Sequence, residues 1–63
     1  MKKQSKLAKV RSKRGLSQRA LGTLANVGHI TIARIEMEAI DPRVSTLKAL
    51  AKALKVKVSE LVD

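Results

Sequence analysis

In 63 residues this sequence contains no phenylalanine, tyrosine, tryptophan or cysteine. That absence constrains the fold more than any residue present. The core has to be built from leucine, isoleucine, valine and alanine. Neither a disulfide nor a thiolate metal site is available to reinforce it, and nothing points to an oxidising compartment. A chain of this length has room for one domain, spanning 1–63. Such a domain buries only about 60% of the surface its unfolded chain exposes, so its core is thin. The missing rings also exclude base stacking on aromatic side chains. This argues against an RNA-recognition sheet or an OB-type single-strand platform, both of which depend on stacking.

Charge narrows the choice of partner. The net charge is +9, and it is unevenly placed. Residues 1–35 carry nine lysines and arginines and no acid, whereas residues 36–63 carry five of each sign. A field concentrated in one half of the chain attracts polyanions and speeds their encounter. The alternative is a solvated lysine face that only keeps the protein soluble. The basic N-terminus is not followed by an apolar run of signal-peptide length, and no stretch approaches the roughly 18 apolar residues of a membrane span. A soluble, cytoplasmic protein is expected.

Periodicity predicts helix nearly throughout. A first helix is expected over 3–13, with Leu7 and Val10 inward and Gly15 just past its end. Ser17 reads as the N-cap of a second helix. That helix runs to Ala25 with Leu21, Leu24 and Ala25 on one side. Asn26 follows, a residue that tolerates the left-handed conformation. A third helix is expected over about 28–36, with Ile32 and Ile35 sharing a face. Residues 37–43 read as a loop marked by Asp41-Pro42. The fourth helix, from Val44 or Ser45, carries the clearest amphipathic stripe: Leu47, Leu50, Ala51 and Leu54. A short fifth helix over 58–62 adds Val58, Leu61 and Val62. The expected fold is all-α, one domain of five helices.

The informative segment is residues 15–36, GLSQRALGTLANVGHITIARIE. Two short helices are joined at Asn26-Val27, with Gly22 and Ala25 where the helices would approach closely. That is helix-turn-helix geometry, in which the second helix enters the major groove. The segment resembles the Cro and phage-repressor type of helix-turn-helix. The resemblance is carried by Gly15-Leu16-Ser17-Gln18, Leu21, Ala25, Val27, Thr31-Ile32 and Arg34-Ile35-Glu36. It continues through Pro42, Leu47, Ala51, Leu54 and Leu61, covering roughly residues 7–62, with the helix-turn-helix core at 17–36.

This resemblance implies roles. Gln18, with Ser17 at the same helix start, falls where the family holds a backbone phosphate, and Gln18 there also supports the recognition helix. Helix N-termini also offer free amides to such a group. Arg11 and Glu36 fall on positions that pair in many members, a structural tie between the first and third helices. Since Ile32 and Ile35 face the core, His29, Ile30, Ala33 and Arg34 point away from it and are the base-reading candidates. His29 is suited to guanine N7 or O6, Ile30 and Ala33 to a thymine methyl, and Arg34 to guanine or a phosphate. For Ile30, partial burial is the alternative. Arg43, Thr31 and an arm of Lys2, Lys3 and Lys6 are phosphate candidates, supplying the salt-dependent and sequence-independent part of binding.

The sequence also departs from the family. Gly22 replaces the usual alanine and Gly28 the usual Ser or Thr cap. Asn26, Glu38 and Lys55 each stand where a glycine normally follows a helix, which leaves the 37–41 loop undetermined.

An enzyme is not expected. There is one histidine, the five acids are scattered, and no metalloprotease, P-loop or dinucleotide-binding pattern occurs. No catalytic residue, metal, cofactor or small-molecule substrate is called for. A cationic membrane-surface helix is disfavoured because the first helix has only Leu7 and Val10 on its apolar face. The expected function is sequence-specific binding of double-stranded DNA by a bacterial or phage transcriptional regulator of the repressor type. The alternative is an antitoxin or partner-binding module on the same fold. Family members usually act as homodimers on two half-sites. Val56, Val58, Leu61 and Val62 are the candidates for a dimer surface, or they close the core.

Overall fold

The computed structural model describes residues 5–62. Lys2, Lys3 and the predicted helix start at residue 3 lie outside these. Within them the chain forms four α-helices: α1 (Lys6–Lys13), α2 (Gln18–Ala25), α3 (His29–Glu36) and α4 (Val44–Leu54). The expected fifth helix is instead a single 3-10 turn, Val58–Glu60. Its bonds run from Glu60 N–H to the Lys57 carbonyl and from Leu61 N–H to the Val58 carbonyl, both 2.9 Å. The Glu60 carboxylate also accepts the Lys57 N–H at 2.7 Å. One turn of the 3-10 kind is enough to bring Leu61 into the core, and such turns rarely extend beyond three or four residues.

Each α-helix starts and stops for a local reason. Ser5 Oγ accepts the Ala8 N–H at 3.1 Å and Ser17 Oγ the Ala20 N–H at 3.0 Å, so both serines cap their helices. Gly28 and Arg43 precede α3 and α4 without a side-chain cap bond. The C-termini share one device. In each case the residue past the helix has positive φ: Gly15 at 69°, Asn26 at 56°, Glu38 at 59° and Lys55 at 59°. The next amide then reaches back to a carbonyl five residues earlier: Leu16 to Arg11, Val27 to Gly22, Ala39 to Arg34 and Val56 to Ala51. These are Schellman closures. Three of the four use a residue bearing a Cβ, at positions where the resembled family has glycine. The left-handed conformation is therefore retained at Glu38 and Lys55 against its ordinary steric cost.

The core is a single cluster drawn from every element: Leu7, Leu21, Ile32, Ile35, Leu50, Ala51, Leu54 and Leu61. Helix α2 packs against both α3 and α4. Leu24 is a correction to the expected α2 stripe, being 63% exposed. The buried side of α2 is set by Leu21, Gly22 and Ala25. At 3.6 residues per turn, Leu24 lies about 100° from the middle of that set. Val56 and Val58 pack against the core and Leu61 is part of it, so of the four candidate dimer residues only Val62 is exposed.

Candidate nucleic-acid interface

Helix α3 is held at both ends. At its start, Gly22 of α2 lies under the turn. A Cβ built there would stand 2.6 Å from the Val27 carbonyl oxygen and 3.3 Å from the His29 amide nitrogen. Only the missing side chain lets the turn lie this close. The close approach expected at Gly22 is therefore one of backbone on backbone, which is why the alanine usual in the family is crowded here.

At its end, Glu36 is the hub of a polar cluster. Its carboxylate accepts Arg11 Nε at 2.7 Å and Arg11 Nη2 at 3.1 Å, a bidentate pair, and Gln18 Nε2 at 3.0 Å. Arg11 Nη1 donates to the Leu16 carbonyl at 2.7 Å. One carboxylate therefore ties α3 to both α1 and α2, and the guanidinium also holds the α1–α2 connection. The side chains are 17% (Arg11) and 7% (Glu36) exposed. At that depth desolvation offsets much of the Coulomb attraction, and the fork geometry is what makes the pair worth keeping. The hydrogen bond to Glu36 raises the Arg11 pKa further above its ordinary value, outweighing the opposing effect of burial, with the Glu36 charge adding to the rise.

Between these two ends α3 presents one face inward and the other to solvent. Ile32 and Ile35 are buried. His29, Ile30 and Arg34 are exposed, with Ile30 at 61%, and Ala33 and Thr31 are half-buried. Ser17 is exposed; its oxygen serves the helix cap, which leaves its hydroxyl hydrogen to donate elsewhere. Gln18 is half-buried, and its amide nitrogen has a second hydrogen beyond the one given to Glu36. Arg43, immediately before α4, and Lys6, at the start of α1, are both exposed.

Two residues absent from the sequence-based set belong to this surface. Arg19 is exposed and, with Thr23, Asn26 and His29, lines an open groove of about 480 Å³ beside the α2–α3 turn. Met37 prolongs the outward line of α3 and is 61% exposed. Its spacing of seven from Ile30 was legible, but it had been assigned to the loop. Among the described residues no helix is long and apolar enough to cross a membrane, and no group of three or more His, Cys, Asp or Glu side chains is placed to hold a metal ion.

Comparison with known proteins agrees with this geometry. Residues 7–61 match the family described as helix-turn-helix. The HTH-type transcriptional regulator PuuR of Escherichia coli (strain K12) is 36% identical over 55 residues, and the protein of the same name from Shigella flexneri matches equally. The match takes in 87% of this chain and 30% of either relative, so the chain spans less than a third of the length of the curated relatives it matches. Among solved structures, the restriction-modification controller protein C.AhdI from Aeromonas hydrophila superposes with a TM-score of 0.85 at 27% identity. That superposition covers 89% of this chain and 85% of that one.

Proposed function

This chain belongs to the helix-turn-helix family, of the Cro and phage-repressor type, and from that premise we propose that it is a transcriptional repressor that binds double-stranded DNA sequence-specifically through α3. The observation that carries this is the division of α3. Its inner face is locked into the core through Ile32 and Ile35, while Ile30 and Arg34 stand in solvent and Arg19 shares a groove with His29 at the start of the helix.

In this reading His29 donates to a guanine edge, Ile30 and Ala33 meet thymine methyls, and Arg34 binds guanine or a phosphate. Ser17 and Gln18 at the start of α2, together with Thr31, Arg43 and Lys6, hold the phosphate backbone, joined by Lys2 and Lys3 of the N-terminal arm. Gln18 then serves two partners, donating one amide hydrogen to Glu36 and the other to phosphate. That arrangement registers α3 against the backbone it sits beside. The domain works in the cytoplasm and as a homodimer on two half-sites about one helical turn apart, with the exposed Val62 and its surroundings as the contact.

Selection of random duplex DNA against the purified chain at roughly physiological salt, read by sequencing, tests the proposal. An enriched motif with two related half-sites supports a dimeric regulator, and a single half-site removes the dimer. Absence of any motif, with binding that disappears as salt rises, refutes sequence-specific recognition.

A further inference from the structure

Four residues line the outward side of α3 and its cap: Ile30, Ala33, Arg34 and Met37, at the i, i+3, i+4, i+7 spacing of one helix face. Three of the four are apolar, and the two large ones, Ile30 and Met37, are each 61% exposed. No asparagine or glutamine, the side chains that bind adenine bidentately, occurs in α3. The donors on the helix are His29 at its start, half-buried Thr31 and Arg34. Arg34 apart, the surface thus offers aliphatic and thioether contact rather than hydrogen bonds.

The major groove presents one apolar group to such a surface, the C5-methyl of thymine. A 5-methylcytosine carries the same methyl at the same place on a C·G pair. We propose that this face reads the C5-methyl groups of pyrimidines, with Met37 as an additional specificity-determining residue, so that 5-methylcytosine substitutes for thymine beneath it. From Ile30 to Met37 the helix advances about 10 Å, roughly three base steps. The methyl-bearing pyrimidines therefore fall within three or four adjacent pairs, with the position read by His29 at one end and that read by Arg34 between them. Charge complementarity selects duplex DNA as the occupant. Arg34 is part of the patch and Arg19 lines a groove with His29 at the start of the same helix, all three exposed, and a second copy of this chain docking here would bring the same cations against them.

The inference rests on the DNA-binding reading above, and its test separates the two. The best half-site from the random selection is synthesised with deoxyuridine replacing each thymine in turn, and with C·G or 5-methylcytosine·G replacing T·A. Affinities are read by fluorescence anisotropy at fixed salt. Each uracil under the face is expected to weaken binding about fourfold, the worth of one buried methyl. Conversion of C·G to 5-methylcytosine·G recovers most of the loss. Met37→Ala and Ile30→Ala each abolish the thymine-over-uracil preference at their own step only. Both side chains are largely exposed, so the variants stay folded. If an enriched motif binds equally well with uracil throughout, methyl readout is wrong while DNA recognition stands, carried by His29 and Arg34. If Met37→Ala leaves every preference unchanged, Met37 has no part in readout. If no motif is enriched, the DNA-binding reading fails and this inference with it. A protein bound at the apolar face is then the alternative, and blockage of that binding by Ile30→Ala would establish it.

Discussion

Replacing Gly22 with alanine sets two effects of known sign against each other. Alanine is favoured over glycine inside a helix by about 0.8–1.0 kcal/mol. On propensity alone, Gly22→Ala in the middle of α2 should stabilise the protein. The added methyl, however, meets the Val27 carbonyl oxygen at 2.6 Å, where ordinary contact begins at 3.4 Å. The α2–α3 turn has to retreat by most of the difference, and the neighbour that must give way is backbone. That same turn is closed by the Val27 N–H bond to the Gly22 carbonyl, 3.0 Å long, so retreat stretches the bond as well. Overpacking of this kind costs about 1–3 kcal/mol. After the propensity gain, a net loss of about 1 kcal/mol remains, which for so small a domain lowers Tm by roughly 4–8 °C. Thermal melting followed by far-UV circular dichroism reads the stability. Titration of the selected operator reads the position of His29, whose amide nitrogen is 3.3 Å from the same methyl. A Tm above that of the unmodified protein would refute the reasoning, because it would show that the turn yields at no cost and that propensity alone governs the site.

Other outcomes follow from the same structure. Glu38→Gly and Lys55→Gly should each stabilise by about 0.5–1 kcal/mol, the left-handed penalty of about 1–2 kcal/mol less the entropic cost of glycine; chemical denaturation midpoints measure this, and a fall in either midpoint contradicts it. Glu36→Ala, which strands the Arg11 guanidinium, should cost about 3 kcal/mol, and a double-mutant cycle with Arg11→Met should recover a large part of that. Additive losses in the cycle would mean that the two side chains act independently. Ile30→Ala should relax base preference with stability changed by no more than about 0.5 kcal/mol, whereas Ile32→Ala should cost about 2–5 kcal/mol. An Ile30→Ala variant that melts several degrees lower and keeps its preference would place Ile30 in the core. Arg43→Ala should weaken binding to all sequences alike and reduce the salt slope by about one, measured by titration at several salt concentrations.

What could be read from the residues was set by how local each determinant is. Ser17, Leu21, Ala25 and Asn26 mark α2 from cap to turn because a hydroxyl cap, a 3.6-residue stripe and a left-handed residue all act within a few positions. Leu24 was misplaced because its exposure depends on where α3 and α4 sit around α2, which no window on α2 contains. Glu38 and Lys55 were visible as departures, but two outcomes were open: the backbone could change or the residue could bear the strain. The positive φ at both positions and the Schellman bonds to Arg34 and Ala51 resolve this: the backbone keeps its left-handed shape and the two residues bear the strain. The Gln18 bond to Glu36 spans eighteen residues, so no local pattern announces it; the resemblance implies that Gln18 supports the recognition helix, and the structure supplies the partner. The segment over 58–62 has the apolar composition of a helix, but Glu60 and Leu61 bond back to the carbonyls three residues earlier and it closes as a 3-10 turn that brings Leu61 into the core.

Because α3 is fixed by backbone contact at its first residue and by a carboxylate hub at its last, it resembles a beam resting on two supports. A beam held in this way does not rock to meet a poorly matched groove. When a sequence presents its edges out of line, the duplex has to bend, twist or narrow to fit, and the energy required depends on how stiff that sequence is. In the DNA-binding reading proposed above, the same two anchors would pass part of the discrimination to the mechanics of the DNA, including base pairs that no side chain touches.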